Sequence, residues 1–162
     1  MGPMLPGGGA YDPGVRIVLQ RVRWARVEVA GEEIGAIGPG LLALVGVAEG
    51  DTVEEAHRLA DKTARMRIFA GDERPFDRAL TDLPGAALLC VSQFTLLADL
   101  RRGNRPGWSG AARPEAAEPL VEAYAAAVAA HGVPVARGSF GATMAVSLEN
   151  DGPVTIVLDS AA

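Results

Sequence analysis

Cysteine is almost absent. Cys90 is the only one in 162 residues, so no disulfide can form within the chain and no cluster of thiolates is there to hold zinc. Histidine is nearly as scarce: His57 and His131 are too few for most metal constellations, and neither a metal nor another cofactor is expected. Long hydrophobic runs are missing too. The longest, Leu41 to Ala48, falls far short of the ~20 residues that a membrane helix needs, and the N-terminus has no basic-then-apolar signal pattern. A cytoplasmic protein without a membrane partner is the expectation. Lysine is represented by Lys62 alone, every other basic residue being arginine. Arginine suits planar recognition of phosphate, but a GC-rich genome gives the same bias, so this composition identifies no ligand. The net charge of -5 argues against a protein that coats nucleic acid, DNA included, nonspecifically, because phosphate binding draws on concentrated positive charge. It leaves room for a local basic surface.

What is present is a chain 49% hydrophobic, without repeats and long enough to bury a core, so one compact domain is expected over residues 15–162. Residues 1–14, rich in Gly and Pro and without hydrophobic period, read as a disordered leader. Val15 to Val22 reads as a strand, continued by the alternation of Trp24 to Val29, with a hairpin turn at Ala30-Gly31. Gly40 to Val47 is a continuous apolar run, consistent with a strand buried on both faces. Thr52 and Glu55 make a capping box ahead of the helical stripe Val53, Ala56, Leu59, Ala60, Ala64. Arg67 to Phe69 reads as a short strand and Ala86 to Val91 as another buried one, while the stretch from Asp99 to Arg113 lacks any period and is loop. A second helix either starts at Pro114 and kinks at Pro119, or starts near Pro119, and it ends by Gly132. Strands near Val133 to Arg137, Met144 to Glu149 and Val154 to Leu158 complete the chain. Strands in a hairpin block with two interspersed helices indicate α+β: two packed sheet layers, barrel-like, flanked by two main helices, and not a doubly wound parallel sheet.

Two segments interrupt apolar strands with polar and turn-forming residues. Ser92, Gln93, Phe94 and Thr95 stand at the exit of a buried strand, where they either shape a pocket wall or satisfy neighbouring backbone as a strand edge. Asn150-Asp151-Gly152-Pro153 lies between the last two strands, where it is either a plain hairpin turn or the site of a cis peptide bond, which Gly before Pro makes accessible. Ser92 and Thr95 sit in no nucleophile elbow and no His or Asp is spaced to activate them. Cys90, inside an apolar strand, reads as inert core, and the glycines between Gly31 and Gly40 match no phosphate loop.

At these two segments the sequence resembles the D-aminoacyl-tRNA deacylase family, whose signatures S-Q-F-T-L and N-x-G-P-V/F-T stand intact at Ser92 to Leu96 and Asn150 to Thr155. The resemblance runs through Gln20 to Val22, Ile34 to Val47, Arg67 to Phe69, Ala98 to Pro106 and Gly138 to Met144. S-Q-F-T in place of P-Q-A-T separates the chain from a related deacylase of different substrate preference. One departure is local: where the family often has R-P-S-F-S, this chain has Arg105-Pro106-Gly107-Trp108-Ser109.

The resemblance implies a two-fold homodimer that hydrolyses the ester of D-aminoacyl-tRNA, and of glycine mischarged on alanine tRNA, binding the charged acceptor end. It implies that Gly152-Pro153 of one subunit, with a cis bond, projects into the pocket of the other and excludes L-amino acids by clash, a proofreading device. It assigns Ser92, Gln93, Phe94 and Thr95 to the catalytic wall. Asn150, Phe140, Gly141, Ala142 and Met144 fall to substrate, the last four near the terminal adenosine, and Arg21, Arg102 and Arg105 to phosphate. An esterase with Thr95 or Ser92 as covalent nucleophile and a noncatalytic module holding the tRNA 3′ end are the alternatives.

Overall fold

The computed structural model describes residues 14–161. The leader expected over residues 1–14 therefore lies outside the described residues, except Gly14. Gly14 belongs to the folded part: its N–H donates to Asp159 Oδ1 at 3.0 Å, and the next residue, Val15, is buried.

One sheet organises the molecule. Its centre is the long strand β1 (Arg16–Val29), which alternates apolar and polar residues and so buries Ile17, Leu19, Val22, Ala25 and Val27. Along one edge β1 pairs antiparallel with β3 (Gly40–Gly46) in its first half and with β2 (Glu32–Ile37) in its second. Along the other edge it pairs antiparallel with β6 (Ala145–Asp159) from end to end. The turn from β1 to β2 falls at Ala30-Gly31, as the sequence predicts. Beyond β3 the sheet continues in parallel through β4 (Ala87–Ser92) to β5 (Val135–Arg137). β3, and β4 as far as Val91, are apolar throughout because both their faces are covered.

Helix α1 (Val53–Arg65) crosses from β3 to β4, and helix α2 (Pro114–Ala129) crosses from β4 to β5. Both lie on the same face, since the Thr63 and Tyr124 hydroxyls meet at 2.9 Å between them. The architecture is thus α+β despite two parallel crossovers: a doubly wound sheet would carry helices on both faces. The capping box at Thr52 and Glu55 is formed, each side chain bonding the other's N–H, at 3.3 and 2.7 Å. Of the two possible starts for α2 the structure takes Pro114, at the first helical position, and runs through Pro119. Pro119 has no N–H to give the Glu115 carbonyl, and both residues are exposed, so water can take the donor's place.

The opposite face closes on itself. The sheet curls until β2 stacks across β5, which gives the expected two barrel-like layers from one sheet. Gly35 marks this approach: a Cβ there would lie 2.7 Å from the Arg137 carbonyl oxygen. Two cores result, one between sheet and helices around Leu19, Leu41, Leu88 and Tyr124, and one inside the barrel around Val22, Ala25, Leu42 and Leu89.

Three expected strands are corrected. Arg67 to Phe69 makes only an isolated bridge from Phe69 to Arg78, because the chain returns beside it at Phe69 alone. The strands expected at Met144–Glu149 and Val154–Leu158 are one strand, β6. Both halves pair with the same strand in the same direction, so the chain cannot reverse between them. Asn150 to Pro153 is accordingly a bulge and no hairpin: the register passes from Val22↔Asn150 to Gln20↔Thr155, leaving Asp151 to Val154 opposite Arg21 alone.

Candidate active site

Because β3, β4 and β5 run parallel, their carboxyl ends open at the same end of the sheet, the usual place for a ligand in such an arrangement. A cavity of ≈ 490 Å³ lies there. Val45 and Val47 line it from the end of β3, Val91, Ser92, Gln93 and Phe94 from the end of β4, Ala117 and Val121 from α2, and Phe140, Gly141, Ala142 and Met144 from the loop before β6. Its lining contains no Asp, Glu, His, Lys, Arg or Cys. Among the described residues no group of three or more His, Cys, Asp or Glu is placed to hold a metal.

The polar wall is built by the exit of β4. The Gln93 N–H continues the parallel ladder to the Val45 carbonyl at 2.8 Å, and the chain then winds into a 3-10 helix, Phe94–Leu97. Leu96 N–H bonds back to the Gln93 carbonyl, so Phe94 and Thr95 open the turn. The first N–H groups of such a turn have no acceptor inside it and are free for a ligand. The Gln93 side-chain amide donates to the Thr95 hydroxyl, which ties Thr95 to the wall but off the cavity lining. The Phe94 ring turns outward, 57% exposed, and meets the Trp108 ring edge-on at 4.9 Å.

The second sequence segment lies elsewhere on the chain. The Gly152-Pro153 peptide is cis and both residues are exposed, and neither lines this chain's own cavity. Gly152 sits at φ 144, and a Cβ there would stand 2.9 Å from the Val154 nitrogen, so only glycine fits. Asn150 braces the bulge from within: Oδ1 accepts from Val154 N–H at 2.8 Å and Nδ2 donates to the Thr155 hydroxyl at 3.1 Å. Arg21 braces it from β1, with Nε donating to the Asp151 carbonyl at 2.9 Å and Nη1 to the Ile68 carbonyl at 2.7 Å. The structure thus puts Asn150 and Arg21 to work on the bulge, away from the cavity. Arg102 and Arg105 stand exposed on the long loop between the 3-10 helix and α2.

Electrostatics around the cavity are quiet. Burial pushes the Cys90 thiol up to about 12, outweighing the Arg137 charge, so it stays a neutral thiol at ordinary pH. Cys90 faces a smaller cavity of ≈ 180 Å³ behind Ser92, beside the paired side chains of Arg137 and Glu122. On the long loop, hydrogen bonds from the Arg101 side chain and backbone hold the Asp99 carboxyl well below the usual carboxylate range.

Reasoning from sequence missed Trp108, Ala111, Ala112 and Pro114 as cavity wall. A tryptophan in an aperiodic loop with no core to join was the available signal. The alanines and the proline carried none.

The sequence model of the D-Tyr-tRNA(Tyr) deacylase family matches residues 18–159. A D-aminoacyl-tRNA deacylase of Chloroflexus aurantiacus is 58% identical over 147 residues, covering 91% of each chain, and one of Roseiflexus castenholzii is 59% identical, covering 91% of this chain and 93% of its own. Among solved structures, one named c-Myc DNA unwinding element binding protein superposes with a TM-score of 0.81 at 35% identity over 88% of this chain and 97% of its own. A second, described as a probable eukaryotic D-amino acid tRNA deacylase, superposes with a TM-score of 0.77 over 90% of this chain and 98% of its own, and at 18% identity it speaks for the fold alone.

Proposed function

The chain belongs to the D-Tyr-tRNA(Tyr) deacylase family, hydrolases of aminoacyl-tRNA, and from that membership we propose that it removes D-amino acids, and glycine mischarged on alanine tRNA, as a proofreading enzyme of the cytoplasm. The observation that carries the chemistry is the cavity's composition: Ser92 and Gln93 are its polar side chains, and no acid, base or metal ligand lines it. An aminoacyl ester is already activated, and its neighbouring ribose 2′-hydroxyl can assist. Catalysis then needs a held ester, oxyanion donors and an admitted water. The ester carbonyl oxygen is placed against the Phe94 N–H, which opens the 3-10 turn on the cavity lining. Water adds to the carbonyl carbon, the oxygen carries the charge while that donor holds it, and the bond to the ribose breaks with the proton passing to the leaving 3′ oxygen. Free D-amino acid and tRNA result. Phe140, Gly141, Ala142 and Met144 take the terminal adenosine.

Chirality is assigned to Gly152-Pro153 of a second copy. Both residues are exposed on the bulge of β6, they do not line this chain's own cavity, and the outer edge of β6 pairs with no strand among the described residues. An edge of that length is a ready surface for a two-fold partner, which would carry the bulge to the neighbouring cavity. A fixed obstruction against the L direction needs no knowledge of the side chain it rejects. Light scattering on the active enzyme should give twice the chain's mass.

The deciding experiment follows ester loss from matched D- and L-aminoacyl-tRNA under excess substrate. D-tyrosyl- and glycyl-tRNA should be turned over repeatedly with chelator present, and the L-tyrosyl ester spared. Equal rates on D and L would refute the reading, and binding without turnover would leave a noncatalytic holder of the 3′ end. A covalent esterase finds no support in the geometry, since Thr95 lies off the cavity lining and Ser92 has no base beside it on that lining.

A further inference from the structure

We propose that Trp108, paired with Phe94, is a stacking platform for the unpaired nucleobase that precedes the reacting nucleoside of the tRNA end, with Arg102 and Arg105 taking the adjoining phosphates. The inference rests on the proposed function and adds a subsite to it.

Large aromatic rings gain by burial, yet these two stand 40% and 57% exposed at the mouth of an apolar cavity, touching each other edge-on. The exposure is built in. Gly107 and Asp99 exchange backbone hydrogen bonds at 2.8 and 2.9 Å, the Trp108 carbonyl accepts from Ala111 N–H at 3.0 Å, and the following turn is clamped to Val47 and Glu49, the Ala112 N–H donating to the Val47 carbonyl and the Gly110 carbonyl accepting from Glu49 N–H. Trp108 is therefore presented by a loop fastened on both sides, which reduces the ordering cost of binding.

The occupant is inferred from what the same loop carries. Between Ala98 and Arg113 the chain carries Arg101, Arg102, Arg105 and Arg113 against Asp99 alone, in a protein whose net charge is -5. Asp99 is bound by Arg101, while Arg102 and Arg105 stand exposed. A π-face and exposed guanidinium groups on one loop are the combination that binds single-stranded nucleic acid: rings take bases, arginines take phosphates. A cavity that holds the reacting nucleoside and its amino acid sends the preceding nucleotide out through the mouth, onto these rings.

Two measurements test this. With Trp24→Phe, Trp108 becomes the sole indole, and its fluorescence is titrated with the trinucleotide CCA and with adenosine. CCA should quench it at a concentration at least tenfold lower than adenosine. In kinetics, Trp108→Ala should raise KM for D-aminoacyl-tRNA on the order of tenfold with kcat within twofold, and raise KM for a D-aminoacyl-adenosine fragment by a clearly smaller factor. Trp108→Phe should recover most of the loss. An unchanged KM for the tRNA substrate overturns the proposal, as does an equal rise for both substrates, which would place Trp108 against the reacting nucleoside or its amino acid. If the wild-type protein releases no amino acid, the proposed function fails, and the titration alone decides: quenching by CCA upholds the platform and its absence removes it.

Discussion

Thr95 separates two mechanisms by where its hydroxyl goes. The Gln93 amide engages it, and the residue stands off the cavity lining, so it has neither a base to activate it nor a path to an ester carbonyl. The donor in the proposed reaction is the neighbouring Phe94 N–H, which no change of the Thr95 side chain removes. Thr95→Ala should therefore keep kcat within about tenfold of wild type on D-aminoacyl-tRNA, because the donor is the main chain. Loss of a covalent nucleophile would cost on the order of 10⁴-fold or more. Single-turnover kinetics on purified protein distinguishes these outcomes, and acid trapping of an acyl-enzyme would independently favour the nucleophile.

The packing of α1 on α2 turns on one polar contact, whose direction follows from counting protons. Thr63 donates its single hydroxyl proton to the Leu59 carbonyl at 2.8 Å, so at 2.9 Å it accepts from the Tyr124 hydroxyl. Both side chains are fully buried, and that burial raises the phenol's pKa, keeping it protonated as the donor. Removing either partner is then unequal. Tyr124→Phe deletes a donor and leaves Thr63 satisfied by Leu59, for a cost of about 1 kcal/mol. Thr63→Val strands a buried hydroxyl on Tyr124 and should cost more, up to about 3 kcal/mol. Urea denaturation of both variants checks the order, and a reversed order would contradict the donor assignment. At this same scale the elements differed in how legible they were. α1 could be read because its cap and its stripe are both local. β6 could not, since a bulge and a hairpin use the same residues, and what decides between them is whether Met144 to Glu149 and Val154 to Leu158 pair with the same distant strand. The wall at Ser92 to Phe94 was visible as polar residues leaving a buried strand. Trp108 and the α2 residues reach the cavity only through tertiary folding.

The molecule as a whole is closed by a knot of charge where its first and last strands meet. Asp159, at the end of β6, accepts from Arg16 Nη2 at 2.8 Å and Nε at 3.0 Å, from Gly14 N–H at 3.0 Å and from Ala161 N–H at 2.9 Å. Burial by itself would raise this carboxyl, but the Ala161 and Gly14 N–H groups and the Arg16 guanidinium together hold it below its ordinary value. A carboxyl whose folded pKa is depressed contributes stability that is fully present above its unfolded pKa, about 3.9, and is lost as the pH falls from there through the folded value. The wild-type protein should thus lose stability in acid below about pH 4, in part through this group. In Asp159→Asn the charge is absent at every pH, so the variant should be less stable at pH 7, and the gap between the two proteins should narrow as the pH falls below about 4. Urea midpoints measured from pH 7 to pH 3 on both proteins test this. A gap that stays constant over that range would mean that Asp159 closes the two strand ends by hydrogen-bond geometry alone, with its charge contributing nothing.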